Sequence, residues 1–206
     1  MTHQNEATVL IVPGLRDHMA DHWQTLLAQR LDKVHTVPPL DIDRLSCAAR
    51  VEALQRALET IDGPVILVAH SAGVMMVTHW AQKYSRPIQG ALLAAPADVE
   101  SPFPDNYPRT AVLEEHGWLP IPRQKLPFPS IVAASTNDPL GDFSRVSQFA
   151  EDWGGELVNL GEVGHLNPAS GFGEWPRAVE LIAMLQNGQH SLSVAGGPVA
   201  EAEAPV

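Results

Sequence analysis

A serine set between two apolar runs is the first residue of this chain whose surroundings indicate chemistry. Residues 65–77 read VILVAHSAGVMMV, an apolar run typical of a buried strand, then Ser71, then an apolar run typical of a helix. A serine hydroxyl is a weak nucleophile, so it needs a base within reach and a position on a sharp strand-to-helix turn. That turn follows the pattern G-x-S-x-G, and residues 69–73 read AHSAG, with alanine replacing the first glycine. The pattern predicts a nucleophile at Ser71; the alternative is a serine that caps a helix in a nucleotide-binding layer.

An acid and a base follow later strand-like runs, in the order Ser, Asp, His. Asp138 comes at the end of SIVAASTNDP, and His165 comes after ELVNLGEVG. His165 would take the proton from Ser71, and Asp138 would hold the imidazole in the correct tautomer and stabilise the imidazolium. The order and the positions after strands are those of a catalytic triad. We therefore predict that Ser71, Asp138 and His165 are the catalytic residues.

Two other carboxylates compete with Asp138 for the role of the acid. Asp98 follows ALLAAPA at the preceding strand end, where some hydrolases of this architecture carry their acid. Asp142 opens a helical pattern, so we expect it to cap a helix. Asp138 is preferred, and Asp98 stays open as the alternative.

Three other histidines need a structural or functional interpretation. His70 neighbours the nucleophile, and we expect it to point away and pack beneath the turn. His18 and His22 lie four residues apart near acidic residues, which permits a metal site. No cysteine or third ligand joins them, so a loop-bracing pair is preferred, and we expect neither a metal nor another cofactor.

The oxyanion of an acyl-transfer reaction needs two backbone N–H donors. One should come from Ala72, directly after the nucleophile. The other should come from Leu15 in the loop after the first strand, where Gly14 permits a tight turn. An ordinary Pro-Gly turn is the alternative for this loop.

Short apolar runs alternate with helical patterns along the chain. This alternation predicts the strands and helices that position the candidate residues. Strand runs without polar alternation, separated by helices, indicate a parallel sheet covered on both faces, hence a doubly wound α/β fold. Ligands bind beyond the carboxyl ends of such strands, where all the candidate residues lie. The predicted strands are residues 8–12, 33–37, 65–69, 90–95, 130–135 and 156–160, and the predicted helices are 21–31, 46–61, 72–84, 142–153 and 175–185.

Two stretches lack this alternation of strand and helix patterns. Residues 96–129 are rich in proline and aromatic residues, and we interpret them as a semi-rigid cap over the strand ends, with a plain surface excursion as the alternative. We expect Phe103, Trp118 and Phe172 in the pocket walls. Residues 1–186 are predicted to form a single domain, and the small, polar stretch 187–206 a disordered tail.

Composition limits the partners and the compartment. The chain of 206 residues has 45% hydrophobic residues and a formal net charge of -11, so it can bury a core but lacks a strongly basic balance. We therefore expect neither nucleic acid nor a membrane as a partner. The single cysteine, Cys47, rules out an intramolecular disulfide, and we expect a cytoplasmic protein. The sequence does not indicate an oligomeric state.

The motifs resemble those of the small α/β-hydrolase serine hydrolases grouped with YdeN and human retinoblastoma-binding protein nine. The matching stretches are VLIVPGL, DHW at residues 21–23, VAHSAG, ASTNDP and GHLNPASGFGEWP, which span nearly the whole chain apart from the tail. The resemblance implies a compact α/β-hydrolase fold with a minimal cap, a Ser71-Asp138-His165 triad and hydrolysis without a metal. Retinoblastoma binding is associated with L-x-C-x-E; residues 45–49 read LSCAA, so we do not expect that interaction.

The sequence is compatible with three functions. We expect a serine hydrolase that forms an acyl-enzyme on small esters, a carboxylesterase of class EC 3.1, with amide or aminopeptidase-like substrates as an option. The alternative is a catalytically weak or inactive hydrolase fold serving as a protein-binding or regulatory module, which the alanine at position 69 favours. A flavodoxin-like nucleotide-binding domain is disfavoured, because no glycine-rich phosphate-binding motif follows any strand.

Overall fold

The computed structural model describes residues 6–188, and its centre is one six-stranded sheet. All neighbouring strands pair in parallel, in the order β2-β1-β3-β4-β5-β6. The predicted doubly wound α/β fold is therefore confirmed. The strands are β1 (Thr8–Val12), β2 (Val34–Thr36), β3 (Val65–His70), β4 (Gly90–Ala94), β5 (Ser130–Ala134) and β6 (Glu156–Asn159).

The central strands lack polar alternation because both of their faces are covered. Every residue of β3, β4 and β5 is buried, whereas the edge strand β2 has two exposed residues of three. Alternate side chains enter two separate cores, so that Leu10 and Val12 face one core while Val9 and Ile11 face the other. Burial on both faces is the physical reason why these runs read as continuous apolar segments.

Helices cover both faces of the sheet, as predicted. The helices are α1 (Trp23–Ala28), α2 (Cys47–Glu59), α3 (Ala72–Lys83), α4 (Thr110–Glu115), α5 (Phe143–Trp153) and α6 (Arg177–Gln186), with a 3₁₀ turn at Pro168–Ser170. Buried residues of α2, α3 and α5 join the first core, and those of α1 and α6 join the second. Two predicted caps are present: Ser46 accepts the Ala49 N–H at 3.2 Å, and Asp142 accepts the Ser144 N–H at 2.9 Å.

The order of the strands opens a crevice between the ends of β1 and β3. The chain runs from β1 to β2, which lies next to β1 on one side. It then continues to β3, which lies next to β1 on the other side. Loops that leave neighbouring strands in opposite directions diverge, and ligands of α/β sheets bind in the gap. The loop with Gly14 and Leu15 and the turn with Ser71 border this gap.

The proline-rich segment 96–129 contains α4, which was not predicted. The helix has only six residues, and the surrounding prolines obscure so short a periodic pattern. Phe103, Tyr107 and Pro108 line the cavity at the strand ends, as expected of a cap. Trp118 lies in the core instead, where its Nε1–H donates to the Leu45 carbonyl at 2.7 Å.

The last helix ends close to the last described residue. α6 ends at Gln186. The predicted tail lies outside the described residues from residue 189 onward. Among the helices found in residues 6–188, none is both long and apolar enough to cross a bilayer.

Candidate active site

Ser71 occupies a strained turn between β3 and α3. Its φ of 59° and ψ of -127° lie in a region that residues with a side chain rarely adopt. The backbone is held there because the Ser71 N–H donates to the Ala94 carbonyl at 3.1 Å, and the Ser71 carbonyl accepts the Val74 N–H at 3.0 Å. Ser71 stands at the N-cap position of α3, yet its side chain makes no capping hydrogen bond. The alternative interpretation of Ser71 as a helix cap is therefore wrong.

Small residues allow the strained turn to pack against the sheet. A Cβ atom added to Gly73 would lie 2.3 Å from the Val12 carbonyl oxygen and 2.8 Å from that of Pro13, so glycine is required there. Ala69 is fully buried and pairs with Val12 on one side and Leu93 on the other. The sheet accommodates its methyl group, and alanine replaces the glycine of the motif without disturbing the turn.

Ser71, His165 and Asp138 form a continuous chain of hydrogen bonds. The Ser71 Oγ lies 2.8 Å from the His165 Nε2, and the His165 Nδ1 lies 2.8 Å from the Asp138 Oδ2 and 2.9 Å from its Oδ1. The side chains of His165 and Asp138 are 4% and 2% exposed. A carboxylate only accepts hydrogen bonds, so the Nδ1 of His165 carries a proton, and in the neutral ring Nε2 is free to accept the Ser71 hydroxyl proton.

Polar side chains of neighbouring loops hold His165 in place. The His165 N–H donates to the Ser170 Oγ at 3.0 Å, and the Ser170 hydroxyl donates to the Asn167 Oδ1 at 2.8 Å. The preceding Gly164, at a φ of 57°, donates its N–H to the Asn137 Oδ1 at 2.6 Å. These bonds give Asn167 and Ser170, which lie within the motif GHLNPASGFGEWP, a role in positioning His165.

Asp98, the alternative acid, belongs to a different network. Its carboxylate accepts from the Arg145 Nε at 2.9 Å and Nη2 at 3.1 Å, and from the Ser101 hydroxyl at 2.6 Å. Burial raises the pKa of Asp98, but the hydrogen bonds from Arg145 and Ser101 outweigh it and hold the pKa below its usual value. Asp98 thus fastens the proline-rich segment to α5. Asp142, the other rival, caps α5 as expected.

Two further histidines pack behind His165. The His70 Nε2–H donates to the His165 carbonyl at 2.9 Å, and the His70 ring centroid lies 4.9 Å from that of His165 and 4.7 Å from that of His22. The His22 Nδ1 accepts the Gln24 N–H at 3.2 Å and thereby caps α1. Burial lowers the pKa of His22 to about 4 and that of His70 well below its usual value. Both rings are therefore neutral and structural.

A buried arginine that the sequence analysis missed holds the loop after β1. The Arg50 side chain is 4% exposed, and its guanidinium donates to the carbonyls of Gly14 at 3.3 Å and Leu15 at 3.2 Å. It also donates to the Asp17 Oδ1 at 2.9 Å. The carbonyl and N–H of a trans peptide point in opposite directions, so the bond to the Gly14 carbonyl turns the Leu15 N–H away from Arg50.

The sequence did carry a signal for Arg50. The buried stripe of α2 includes Cys47, Val51, Leu54 and Leu58, and Arg50 lies on that same stripe. A charge at a core-facing helical position is almost never buried without partners. An arginine there indicates acceptors on a neighbouring element, although their identity depends on the tertiary structure.

The hydrogen-bonded chain opens into a cavity of about 330 Å³. This volume is at the lower end of the range for small-molecule sites. Of the walls predicted from the sequence, Phe103 lines the cavity, whereas Trp118 and Phe172 do not. The lining also includes Leu15, Ala72, Tyr107, Leu140 and Asn167.

The Cys47 thiol and the His18 imidazole lie outside the hydrogen-bonded chain of Ser71. Cys47 is a free thiol buried in the core, and burial raises its pKa to about 12, so it is a poor nucleophile. His18 lies 3.4 Å from the Thr25 hydroxyl. Over the stretch from residue 6 to residue 188, no three His, Cys, Asp or Glu side chains are grouped to hold a metal ion.

Comparisons with known proteins show which fold and family the chain shares. The structure resembles a YdeN-like hydrolase from Pectobacterium atrosepticum, with a TM-score of 0.76 and 29% identity over 90% of this chain and 94% of that chain. It also resembles the ydeN gene product of B. subtilis, with a TM-score of 0.67 and 19% identity over 87% and 98%. Est1E from Butyrivibrio proteoclasticus, solved with ferulic acid, has a TM-score of 0.65 and 13% identity over 91% and 93%.

The last two likenesses show the fold alone, because their identities are low. No curated protein sequence matches the chain. A family model described as serine hydrolase matches residues 9–184, nearly the whole described chain, and agrees with the resemblance that the motifs indicated. The chain therefore belongs to the serine hydrolase family and has the α/β-hydrolase fold.

Proposed function

We propose that this serine hydrolase is a carboxylesterase that cleaves small esters through an acyl-enzyme on Ser71. The observation that carries the proposal is the hydrogen-bonded chain Ser71–His165–Asp138, whose Ser71 and His165 line the cavity. In this proposal Ser71 is the nucleophile, His165 the general base and acid, and Asp138 the group that orients His165. Amides are a second substrate class for the same groups.

The acylation step uses the tautomer that Asp138 imposes on His165. The Ser71 Oγ attacks the ester carbonyl carbon while its proton moves to the His165 Nε2, and the carbonyl oxygen becomes an oxyanion. When the tetrahedral intermediate collapses, the bond to the leaving oxygen breaks, and His165 gives that oxygen its proton. An alcohol departs, and the acyl group remains on Ser71.

Deacylation repeats the sequence with water as the nucleophile. Water gives a proton to the His165 Nε2 and attacks the acyl carbon, and a second oxyanion forms. The bond to the Ser71 Oγ then breaks, and His165 returns the proton to the serine oxygen. The carboxylic acid leaves, and the enzyme is regenerated.

The N–H groups of Ala72 and Leu15 are the proposed oxyanion donors. Ala72 is the first residue of α3, and N–H groups in the first turn of a helix have no intrahelical acceptor. The Leu15 N–H is turned away from Arg50, and both residues line the cavity with Ser71. Loss of one such donor typically lowers kcat by about 10²–10³-fold.

The cavity supports a small substrate. Its volume is about 330 Å³, and its walls include the apolar side chains of Leu15, Phe103 and Leu140. An acyl chain of a few carbons fits such walls better than a long lipid chain. Small esters are accordingly the proposed substrates, with no nucleic acid or membrane as a partner.

Labelling and turnover test the proposal together. The wild type is mixed with a fluorophosphonate probe and separately with p-nitrophenyl acetate and butyrate, beside Ser71→Ala and the matched control Ser147→Ala on α5. We expect labelling and turnover in the wild type and in Ser147→Ala, and neither in Ser71→Ala. A folded wild type without either activity would overturn the esterase proposal and favour an inert binding module.

A cytoplasmic location is part of the same proposal. Its support is the single cysteine, Cys47, which is free and buried. Fractionation of cells that express a tagged full-length chain tests it, and recovery outside the cytoplasm would contradict it.

A further inference from the structure

The mouth of the cavity carries an arginine that no carboxylate neutralises. Arg16 is exposed and lines the cavity beside Leu15. Across residues 6–188, the ion pairs formed within 4.0 Å involve other arginines and leave Arg16 out. The nearby Asp17 is already shared by Arg44 at 2.9 Å and Arg50 at 2.9 Å. The mouth thus holds a positive charge that is available to a ligand.

The guanidinium of Arg16 lies over an aromatic ring of the proline-rich segment. Its central carbon lies 4.8 Å from the centroid of the Tyr107 ring, and Tyr107 in turn packs edge-on against Phe103 at 6.0 Å. A cation over the face of an aromatic ring is attracted to the ring, and this contact uses the charge of the guanidinium rather than its N–H donors. Tyr107 therefore holds the Arg16 guanidinium beside the cavity, and its donors stay available to a carboxylate, which they match in a bidentate manner.

The charge at the mouth is opposite to that of the whole chain. The chain has a formal net charge of -11, whereas the cavity lining contains Arg16, Arg44 and a single acidic residue, Asp17. A generally acidic protein repels anions, so a local positive mouth is needed to draw an anionic substrate into the cleft. The Cα of Arg16 is also only about 3.8 Å from that of Leu15, the proposed oxyanion donor. A charge on the substrate would lie within one side-chain length of the reacting carbonyl.

We propose that Arg16, held on Tyr107, selects esters that carry a carboxylate about one side-chain length from the scissile bond. The carboxylate would lie against the edge of the guanidinium while the ester carbonyl faces Ser71. This inference rests on the proposed esterase function and names its substrate class. Arg16 is a specificity-determining residue in this arrangement and takes no part in proton transfer.

Three acetate esters that differ in charge provide the test. They are 4-acetoxybenzoate, 4-acetoxybenzamide and 4-acetoxyphenyl-trimethylammonium, whose para substituents are anionic, neutral and cationic. Each kcat/KM is divided by the rate of hydroxide hydrolysis, to correct for the leaving phenol. We expect the wild type to prefer the anionic ester over the neutral one by about tenfold, the size of a charge-assisted hydrogen bond. The cationic ester should be the poorest substrate.

Variants assign the preference to Arg16. In Arg16→Gln the ratio of anionic to neutral ester should fall close to one, and Arg16→Lys should restore part of it. Arg177→Gln on α6 is the matched control, because it removes the same charge from an exposed position on another element, and it should keep the ratio. Sodium chloride should lower the ratio in the wild type, since salt screens an exposed charge.

The outcomes separate this inference from the esterase proposal. Hydrolysis that depends on Ser71 but shows no anionic preference, or a preference that persists in Arg16→Gln, overturns the inference and leaves the esterase standing. A second measurement does not need turnover: 4-hydroxybenzoate should bind more tightly than 4-hydroxybenzamide by calorimetry, and Arg16→Gln should abolish the difference. Equal binding of the two phenols would also overturn it. Absence of hydrolysis of all three esters would contradict the esterase proposal alone.

Discussion

At the scale of single residues, the position of Ser71 depends on the small size of its neighbours. The strained backbone at Ser71 is tolerated because Gly73 lets α3 approach the carbonyls after β1, and because Gly14 leaves room beside the serine. Backbone strain of this kind costs roughly 1–3 kcal/mol and persists where the surrounding structure enforces it. The small size of these residues therefore makes room for the strained turn, on which the Ser71 hydroxyl makes no capping bond to the helix.

Substitutions at the two small positions of the turn should differ sharply. Gly73→Ala would force a Cβ atom to 2.3 Å from the Val12 carbonyl oxygen, so we expect a loss of roughly 2 kcal/mol or more in the free energy of unfolding. Ala69→Gly should retain ester turnover and lose about 0.5–1 kcal/mol, the usual cost of glycine within a strand. Urea unfolding and p-nitrophenyl acetate turnover measure both; a fully stable Gly73→Ala would contradict the packing argument.

The role of Asp138 can be separated from that of the other carboxylates. Asp138→Asn replaces a group that only accepts with an amide, so the tautomer of His165 is no longer enforced. We expect kcat to fall by about 10³–10⁴-fold. Asp142→Asn is the matched control, because asparagine also caps helices well, and its kcat should stay near that of the wild type. Similar kcat values for the two variants would rule out Asp138 as the triad acid.

At the scale of elements, α2 supports the site through Arg50. The helix lies in the first core, and Arg50 reaches from it to two carbonyls of the loop after β1 and to Asp17. One side chain therefore ties the orientation of the loop to the packing of a helix. The turn itself is closed by a bond from the Asp17 N–H to the Gly14 carbonyl at 3.1 Å.

Replacement of Arg50 should lower kcat more than it raises KM. Arg50→Lys keeps the charge, but an ammonium cannot bridge both carbonyls and the carboxylate in one plane. With the loop less fixed, the proposed Leu15 donor becomes misaligned in the transition state, and kcat should fall by about 10-fold or more. Arg56→Lys, farther along the same helix, is the control.

The measurement must separate positioning from stability. Kinetics are recorded at a temperature where circular dichroism shows Arg50→Lys to be folded. A variant that only lowers the Tm and leaves kcat unchanged would restrict Arg50 to a structural role.

At the scale of the whole molecule, buried neutral histidines link stability to pH. Burial holds the pKa of His22 at about 4 and that of His70 well below 6.5, the ordinary value to which both return on unfolding. Below pH 6.5 the unfolded chain binds protons that the folded state does not. The free energy of unfolding should therefore fall as the pH drops from about 6.5 toward 4, by up to about 1.4 kcal/mol per pH unit for each histidine.

Urea unfolding at pH 7, 6 and 5 checks this dependence. Carboxylates whose pKa is lowered in the fold, such as Asp98, change the free energy of unfolding mainly at more acidic pH. Between pH 7 and 5, the two histidines therefore dominate its pH dependence. His22→Asn keeps an acceptor for the cap of α1 and removes one titrating group, so its slope should be smaller than that of the wild type. Equal slopes would show that His22 does not account for the effect.

Much of the fold could be predicted from the sequence because the central strands are buried on both faces. Their apolar runs stand out between helical patterns, and β1 was predicted with the bounds that the structure shows. The short α4 was missed, since six residues among prolines carry too little periodicity. Of the pocket walls, only the assignment of Phe103 was correct, because side-chain direction in an irregular segment depends on long-range packing.

The sequence by itself determined the types and the order of the reactive residues: a serine between a strand and a helix, then an aspartate and a histidine after later strands. Parallel strands place their carboxyl ends at one edge of the sheet, so this order was enough to indicate the site. Only the tertiary structure decided that Asp138 rather than Asp98 meets His165, and that Ser71 and His165, 94 positions apart, lie 2.8 Å from each other. It also decided the role of Arg50 and the unpaired charge of Arg16. Such contacts depend on how loops turn after the strands, which local patterns do not encode.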